Sequence, residues 1–402
     1  MHTIVIVGAS LSGLRAAQAL RKRGFDGRLV MVGAEAHAPY DRPPLSKQLL
    51  AGEWPAEKLF FHAREQHAAL ELEQKLGHAA RALDAREQTI ELASGETLGY
   101  DGLVIATGAS PRMLPHVAGL SGVHVLRTLD DALALSAALQ QRPRVAVVGA
   151  GFIGLEVASS CRKLGLQVSV IEPQRLPLLA LLGEPVANAV HRLHADRGVE
   201  FHLGDGARVR ELQGAGRIER ILLEDNTLVE ADLVIVGIGV VPATRWLDGS
   251  GISLSHGVLC DKTLATNLPH VVAAGDVVRW PNAAVGGDPM CVEHWSNAVE
   301  QGGAAAARLL DGPSVAPYQH MPYFWSDQYE RKFQCSGRVR ADDDFAVVQG
   351  GLDQATFTAL YGRAGKMCGV LTSNMPAVFL KARKLLAAGS PFDDARRALA
   401  PS

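Results

Sequence analysis

Along the chain, short unbroken apolar runs alternate with stretches in which apolar positions recur every three or four residues. Residues 3–8, TIVIVG, are β-branched and apolar and end in glycine; a helical pattern follows through Leu20, and a second run, LVMVG, occupies 29–33. A helical period set between two strand-like runs predicts a β-α-β unit. The plan recurs at 144–172, where RVAVVG leads into GAGFIGLEVASSCRKLG and VSVIE closes the unit. Each unit is followed by a mixed region and a further run ending in glycine, LVIATG at 103–108 and LVIVGIG at 233–239. Strands apolar on both faces belong to parallel sheets covered by helices on both sides.

The pattern therefore predicts an α/β fold with two Rossmann-type dinucleotide-binding domains. A further run, HVVAAGD at 270–276, is placed to close the first sheet after the second domain has been inserted, which makes the first domain discontinuous. From about Pro317 the texture changes: aromatics crowd PYFWSDQYERKF, and strand-like segments follow around Phe345–Gly351, Ala355–Tyr361 and Gly369–Thr372. This reads as a C-terminal α+β domain. The expected division is 1–112 with 245–316 for the first domain, 113–244 for the second and 317–402 for the third.

Length agrees with this plan, since 402 residues suit two or three domains at roughly 150 residues each. Forty Lys and Arg against 42 Asp and Glu leave a formal charge of -2, so no global field points to nucleic acid or a membrane. The five cysteines are scattered, without C-x-x-C, and read as buried thiols in a reducing compartment. No export signal and no bilayer-length apolar run is visible, so a cytoplasmic location is expected. The chain is expected to be a monomer or weak dimer, with no metal site.

Candidate chemistry lies at the glycine turns. In the second unit Gly149, Gly151 and Gly154 complete G-x-G-x-x-G between strand and helix. The first allows the tight turn, the second admits the pyrophosphate, and the third lets helix and strand pack. Glu172 lies 172 − 154 = 18 residues on, where a ribose-binding acid is expected, and favours NAD over NADP. Arg175 nearby leaves room for NADPH. In the first unit Gly8, Ser10 and Gly13 hold the motif positions with serine in place of the second glycine, and Glu35 follows 35 − 13 = 22 residues after Gly13. Two dinucleotide folds in one chain suggest FAD first and nicotinamide second. The segment PYDRPPLSK at 39–47 offers Arg42 and Lys47 as cations; it also reads as a Pro-Pro turn before a Ser46-capped helix, and spacing does not decide. Glu156 likewise reads as an ordinary acid near a helix N-terminus.

The ordered set PYDRPPLSK, ATGASPR, LRTLDDA, GAGFIGLE, AAGDV and EHWSNAVEQG resembles the FAD-dependent NADH:ferredoxin reductases, the putidaredoxin reductase-like family that serves cytochrome P450 and ring-hydroxylating dioxygenase systems. The resemblance spans essentially the whole chain and implies a glutathione reductase-like fold. It further implies that Gly8, Ser10, Gly13 and Glu35 hold the ADP half of FAD, that Arg42 and Arg127 meet its pyrophosphate, and that main chain at Ala80 meets adenine. Lys47 would sit beside the flavin and pair with Glu156, both catalytic. Thr107, Gly108, Asp276 and Trp295 would line the flavin site, with a helix after Asn297 pointing at the ring. Ile153 and Gly239 are counted with Gly149, Gly151, Gly154 and Glu172 at the NADH site.

The implied reaction passes hydride from NADH to FAD and then single electrons to an iron-sulfur ferredoxin, expected to carry a 2Fe–2S cluster. Arg308, Trp325, Lys332 and Arg338 are candidate docking residues for that acidic partner. A dithiol flavoenzyme is disfavoured because residues 36–60 contain no cysteine. A rubredoxin reductase, or a redox-signalling flavoprotein resembling apoptosis-inducing factor, remains as an alternative.

Overall fold

The apolar run Thr3–Val7 is the middle strand of a five-stranded parallel sheet, ordered Val271–Ala273, Gly102–Ile105, Thr3–Val7, Arg28–Gly33, Leu72–Leu76. Val5 lies opposite both Val30 and Leu103, and Ile4, Val5 and Ile6 are wholly buried, which explains the unbroken apolar pattern. The coordinates are a computed structural model that describes residues 1–61, 70–115 and 119–401. They form two compact units. The first comprises Met1–Asp41, Leu59–Ser110 and Val241–Tyr323, and the second Arg42–Lys58, Pro111–Val240 and Phe324–Ser402.

In the first unit the strand from HVVAAGD closes the parallel sheet beside Gly102–Ile105, as its pattern predicts. The opposite edge, Leu72–Leu76, was not evident from sequence: LEQKL carries Glu73 and Lys75, which pair with Arg28 and Glu96. Charged side chains on an edge strand discourage further pairing. An antiparallel sheet of Ala80–Asp84, Thr89–Leu92 and Thr97–Gly99 follows. The helices Leu11–Lys22 and Trp295–Asp311 pack together at Gly302, where a Cβ would lie 2.4 Å from the Ser12 carbonyl oxygen.

The second unit repeats the plan. Its parallel sheet runs Val199–Leu203, Val168–Glu172, Val145–Val148, Leu233–Val236, Val123–His124. A five-stranded antiparallel sheet is ordered Tyr323–Gln328, Arg331–Gly337, Lys366–Ser373, Phe357–Arg363, Asp344–Gly350 and is followed by the helices Pro376–Ala387 and Phe392–Leu399. Phe333, Cys335, Phe357 and Leu371 of this sheet share one apolar core with Val145, Leu155, Leu182 and Val190. No helix among the described residues is long and apolar enough to cross a membrane.

Candidate functional site

In the first unit the chain leaves Val7 through Gly8, whose φ of 128° suits glycine, and a Cβ there would lie 2.0 Å from the Ala106 carbonyl oxygen. A Cβ on Gly13 would lie 1.9 Å from the Gly8 oxygen. Backbone alone fits this cradle. Ser10 is the N-cap of Leu11–Lys22 but makes no side-chain capping bond, and the first turn holds no acid. The N–H groups at a helix start suit an anionic group.

Around the cradle, Glu35 accepts from the Tyr40 hydroxyl at 2.5 Å. Ala80 opens the strand Ala80–Asp84 opposite Leu92. The Thr107 hydroxyl donates to the Ala243 carbonyl at 2.9 Å, and Gly108 takes a φ of 68°. Asp276 is half-buried next to Gly275, whose N–H donates to the Gln301 side chain at 2.8 Å. Trp295 donates through Nε1 to Asp41 at 2.7 Å. The helix expected after Asn297 begins two residues earlier, at Trp295, with His294 as N-cap. Asn297 is instead buried in its first turn, donating to the Val292 carbonyl at 2.9 Å and accepting from the Tyr318 hydroxyl at 3.0 Å. Burial, with the charge of His320, lowers the His294 pKa to about 4.

The second unit carries the same cradle with all three glycines. A Cβ on Gly149 would lie 2.3 Å from the Gly237 oxygen, and one on Gly154 2.1 Å from the Gly149 oxygen. Gly151, the N-cap of Phe152–Lys163, faces open space with nothing within 4 Å of its missing Cβ. Ile153 is 54% exposed beside it. Both features fit a ligand laid over this turn. Glu172 accepts from the Ala150 and Gln174 N–H groups, each at 2.9 Å, so its carboxylate is fixed against the glycine turn. Gly239 has a φ of 97° and its carbonyl accepts from the Arg112 N–H at 2.9 Å. Arg175 is engaged by Glu184 in a two-pronged pair at 2.9 and 2.7 Å.

In PYDRPPLSK the Pro-Pro turn is present, but the capped helix and the exposed lysine are not. Pro43–Ser46 is a short 3-10 turn, and no Ser46-capped helix follows. Lys47, only 11% exposed, reaches Glu156, 3% exposed, at 2.8 Å. The Ser46 hydroxyl donates to the same carboxylate oxygen at 2.6 Å, so Glu156 is no ordinary surface acid. Arg42 donates to the Arg127 carbonyl at 2.6 Å.

The docking candidates fall on different units. Arg308, in the first, donates Nε to the Thr263 hydroxyl at 2.9 Å. In the second, Trp325 is half-buried, Lys332 is exposed and pairs with Asp327 at 3.1 Å, and the Arg338 carbonyl accepts from Arg363 at 3.0 Å. Sequence reasoning missed Ser326, Gln328 and His194, all wholly buried. The signal was polar residues at 326 and 328, on one face of a strand. Among the described residues no group of three or more His, Cys, Asp or Glu could hold a metal ion.

Comparison with known proteins agrees with this geometry. Residues 2–302 match the pyridine nucleotide-disulphide oxidoreductase family and 323–400 the reductase C-terminal family. A probable ferredoxin reductase of Castellaniella defragrans is 37% identical over 95% of this chain and 93% of its own length. Human apoptosis-inducing factor 3 is 34% identical over 96% of this chain and 63% of its own. The reductase in a solved covalent putidaredoxin reductase–putidaredoxin complex superposes with a TM-score of 0.91 at 31% identity, covering 97% of this chain and 94% of that one. Two such turns, closed to a Cβ at Gly8, Gly13, Gly149 and Gly154, fit the two dinucleotides such enzymes use. The chain belongs to the pyridine nucleotide-disulphide oxidoreductase family and, within it, to the ferredoxin reductases that work with FAD and NAD(P)H.

Proposed function

We propose that this chain is an NADH:ferredoxin reductase acting in the cytoplasm, feeding a P450 or dioxygenase through an iron-sulfur ferredoxin. The observation that carries the reading is the buried Lys47–Glu156 ion pair, whose acid lies on the helix that starts at the Gly149–Gly154 turn. FAD, when bound, supplies the conversion between two-electron and one-electron transfer. The chain's own residues bind and orient. Gly8, Ser10, Gly13 and Glu35 hold FAD, with Ala80, Thr107, Gly108, Asp276 and Trp295 lining its site and Arg42 and Arg127 as its cations. Gly149, Gly151, Gly154, Ile153, Glu172 and Gly239 hold NADH. Glu172 repels the 2′-phosphate of NADPH, and Arg175 is drawn away by Glu184. Glu156 fixes the Lys47 ammonium so that the lysine aligns the hydride donor. The functional modules are taken as 1–112 with 245–316, 113–244, and 317–402, and the chain as a monomer or weak dimer.

Anaerobic stopped-flow mixing with NADH, then with a 2Fe–2S ferredoxin, tests the reading. Bleaching by NADH well ahead of NADPH, followed by ferredoxin reduction, is expected. Protein that carries no flavin would overturn it. Flavin that bleaches but reduces no ferredoxin leads to rubredoxin as acceptor, or to the second reading that similarity to apoptosis-inducing factor 3 favours, redox signalling. For docking, charge reversal at Lys332 or Arg308 is expected to slow ferredoxin reduction and flatten its salt dependence; unchanged rates at every ionic strength would rule these residues out.

A further inference from the structure

Behind Glu156 lies a buried file of polar side chains. Glu156 Oε1 accepts from the Ser326 hydroxyl at 2.7 Å, and Ser326 Oγ accepts from Gln328 Nε2 at 3.0 Å. Gln328 Oε1 is 2.9 Å from His194 Nε2, and the Tyr329 hydroxyl is 3.2 Å from His194 Nδ1. Ser326, Gln328 and His194 are fully buried, while Tyr329 is half-buried beneath the Arg197 guanidinium.

Such a file can run in either direction. With His194 protonated on Nδ1 and the Gln328 amide turned over, each donor would point away from Glu156, and Ser326 would donate to Gln328. A carboxylate can only accept, and leaving one of its oxygens without a donor in a buried site is costly. The anion therefore breaks the tie: Tyr329 donates to Nδ1, Nε2–H to Gln328, Gln328 to Ser326 and Ser326 to Glu156. The other oxygen, Oε2, is taken by Ser46 and Lys47, and the Ser160 hydroxyl holds the Ser46 carbonyl at 2.7 Å. Stability alone does not ask for this, since apolar side chains of similar volume stabilise a core as well as buried ionic groups or better.

We propose that Ser326 and Gln328, backed by His194, are positioning residues that fix the Glu156 carboxylate, and through it Lys47, by a one-way file of hydrogen bonds from the C-terminal sheet. This rests on the reading of Lys47 and Glu156 as the pair that aligns hydride transfer. The role is set by geometry: tilting the carboxylate moves the Lys47 ammonium without removing it.

Two measurements on the FAD-loaded full chain test it. In nitrogen-15 histidine spectra His194 is expected as the neutral Nε2–H tautomer, losing that preference in Glu156→Gln, whose amide can also donate. An Nδ1–H tautomer in the unsubstituted protein overturns the proposal. In single-turnover reduction by NADH, Ser326→Ala is expected to slow flavin reduction about ten-fold while the NADH dissociation constant moves less than about two-fold. Gln328→Met, close in volume, is expected to do the same and carries the test if Ser326→Ala does not fold. Wild-type rates in folded Ser326→Ala or Gln328→Met overturn the positioning role if Lys47→Met and Glu156→Gln are slow. If those two also react at the wild-type rate, the pair itself is misread and the positioning role falls with it.

Discussion

Lys47 and Glu156 carry charges into a site where both have lost most of their water, and a pair of that kind returns little net stability. Removing one partner is a different matter, because the other charge is left buried and uncompensated. Lys47→Met is expected to lower stability by about 3 kcal/mol in urea unfolding and to slow flavin reduction by NADH. Parallel loss in both readouts separates this site from a simple packing defect, which would move only the first. Glu172 makes a sharper prediction about choice of coenzyme. Its carboxylate faces the glycine turn through the Ala150 N–H, so Glu172→Ala is expected to raise kcat/KM for NADPH relative to NADH about ten-fold, or about 1.4 kcal/mol. A ratio that stays fixed would place selectivity elsewhere.

Among the elements, the helix pair Leu11–Lys22 and Trp295–Asp311 depends on the absence of one side chain. Gly302→Ala would drive a Cβ into the Ser12 carbonyl oxygen, and the helices must part. A loss of about 2 kcal/mol, read as a lower Tm, is expected. The same contrast between backbone and side chain explains what could be read in advance. Strands buried on both faces, such as Val145–Val148 and Leu233–Val236, announce themselves as unbroken apolar runs. The edge strand Leu72–Leu76 does not, because one side meets solvent and carries charge. The glycine turns were legible because at Gly8, Gly13, Gly149 and Gly154 a Cβ would run into a main-chain carbonyl oxygen. Ser326 and Gln328 were not, since a serine on a strand looks the same whether it meets water or a carboxylate. The helix expected after Asn297 starts two residues earlier, at Trp295, and the Asn297 amide turns back to the Val292 carbonyl from its first turn.

For the molecule as a whole, acid sensitivity follows from histidines buried uncharged in both units. Burial holds His194 and His294 near a pKa of about 4, below the 6.5 of an exposed imidazole. Between those values the unfolded chain binds more protons than the folded one, so stability is complete above about pH 6.5 and drains away as pH falls through 4, by about 3 kcal/mol for each histidine. Urea unfolding at a series of pH values checks the slope, and His194→Gln, which takes up no proton, is expected to flatten its share. The apolar core shared by the C-terminal sheet and the second parallel sheet has a consequence for grafting. Phe333, Phe357 and Leu371 are packed with Leu155, Leu182 and Val190, and the Tyr361 hydroxyl reaches the Leu182 carbonyl at 2.9 Å. A chimaera that exchanges residues 317–402 for a relative's, to change the electron acceptor, therefore transplants half of an interior. The swap should succeed only when the facing positions 155, 178, 182, 186 and 190 travel with it.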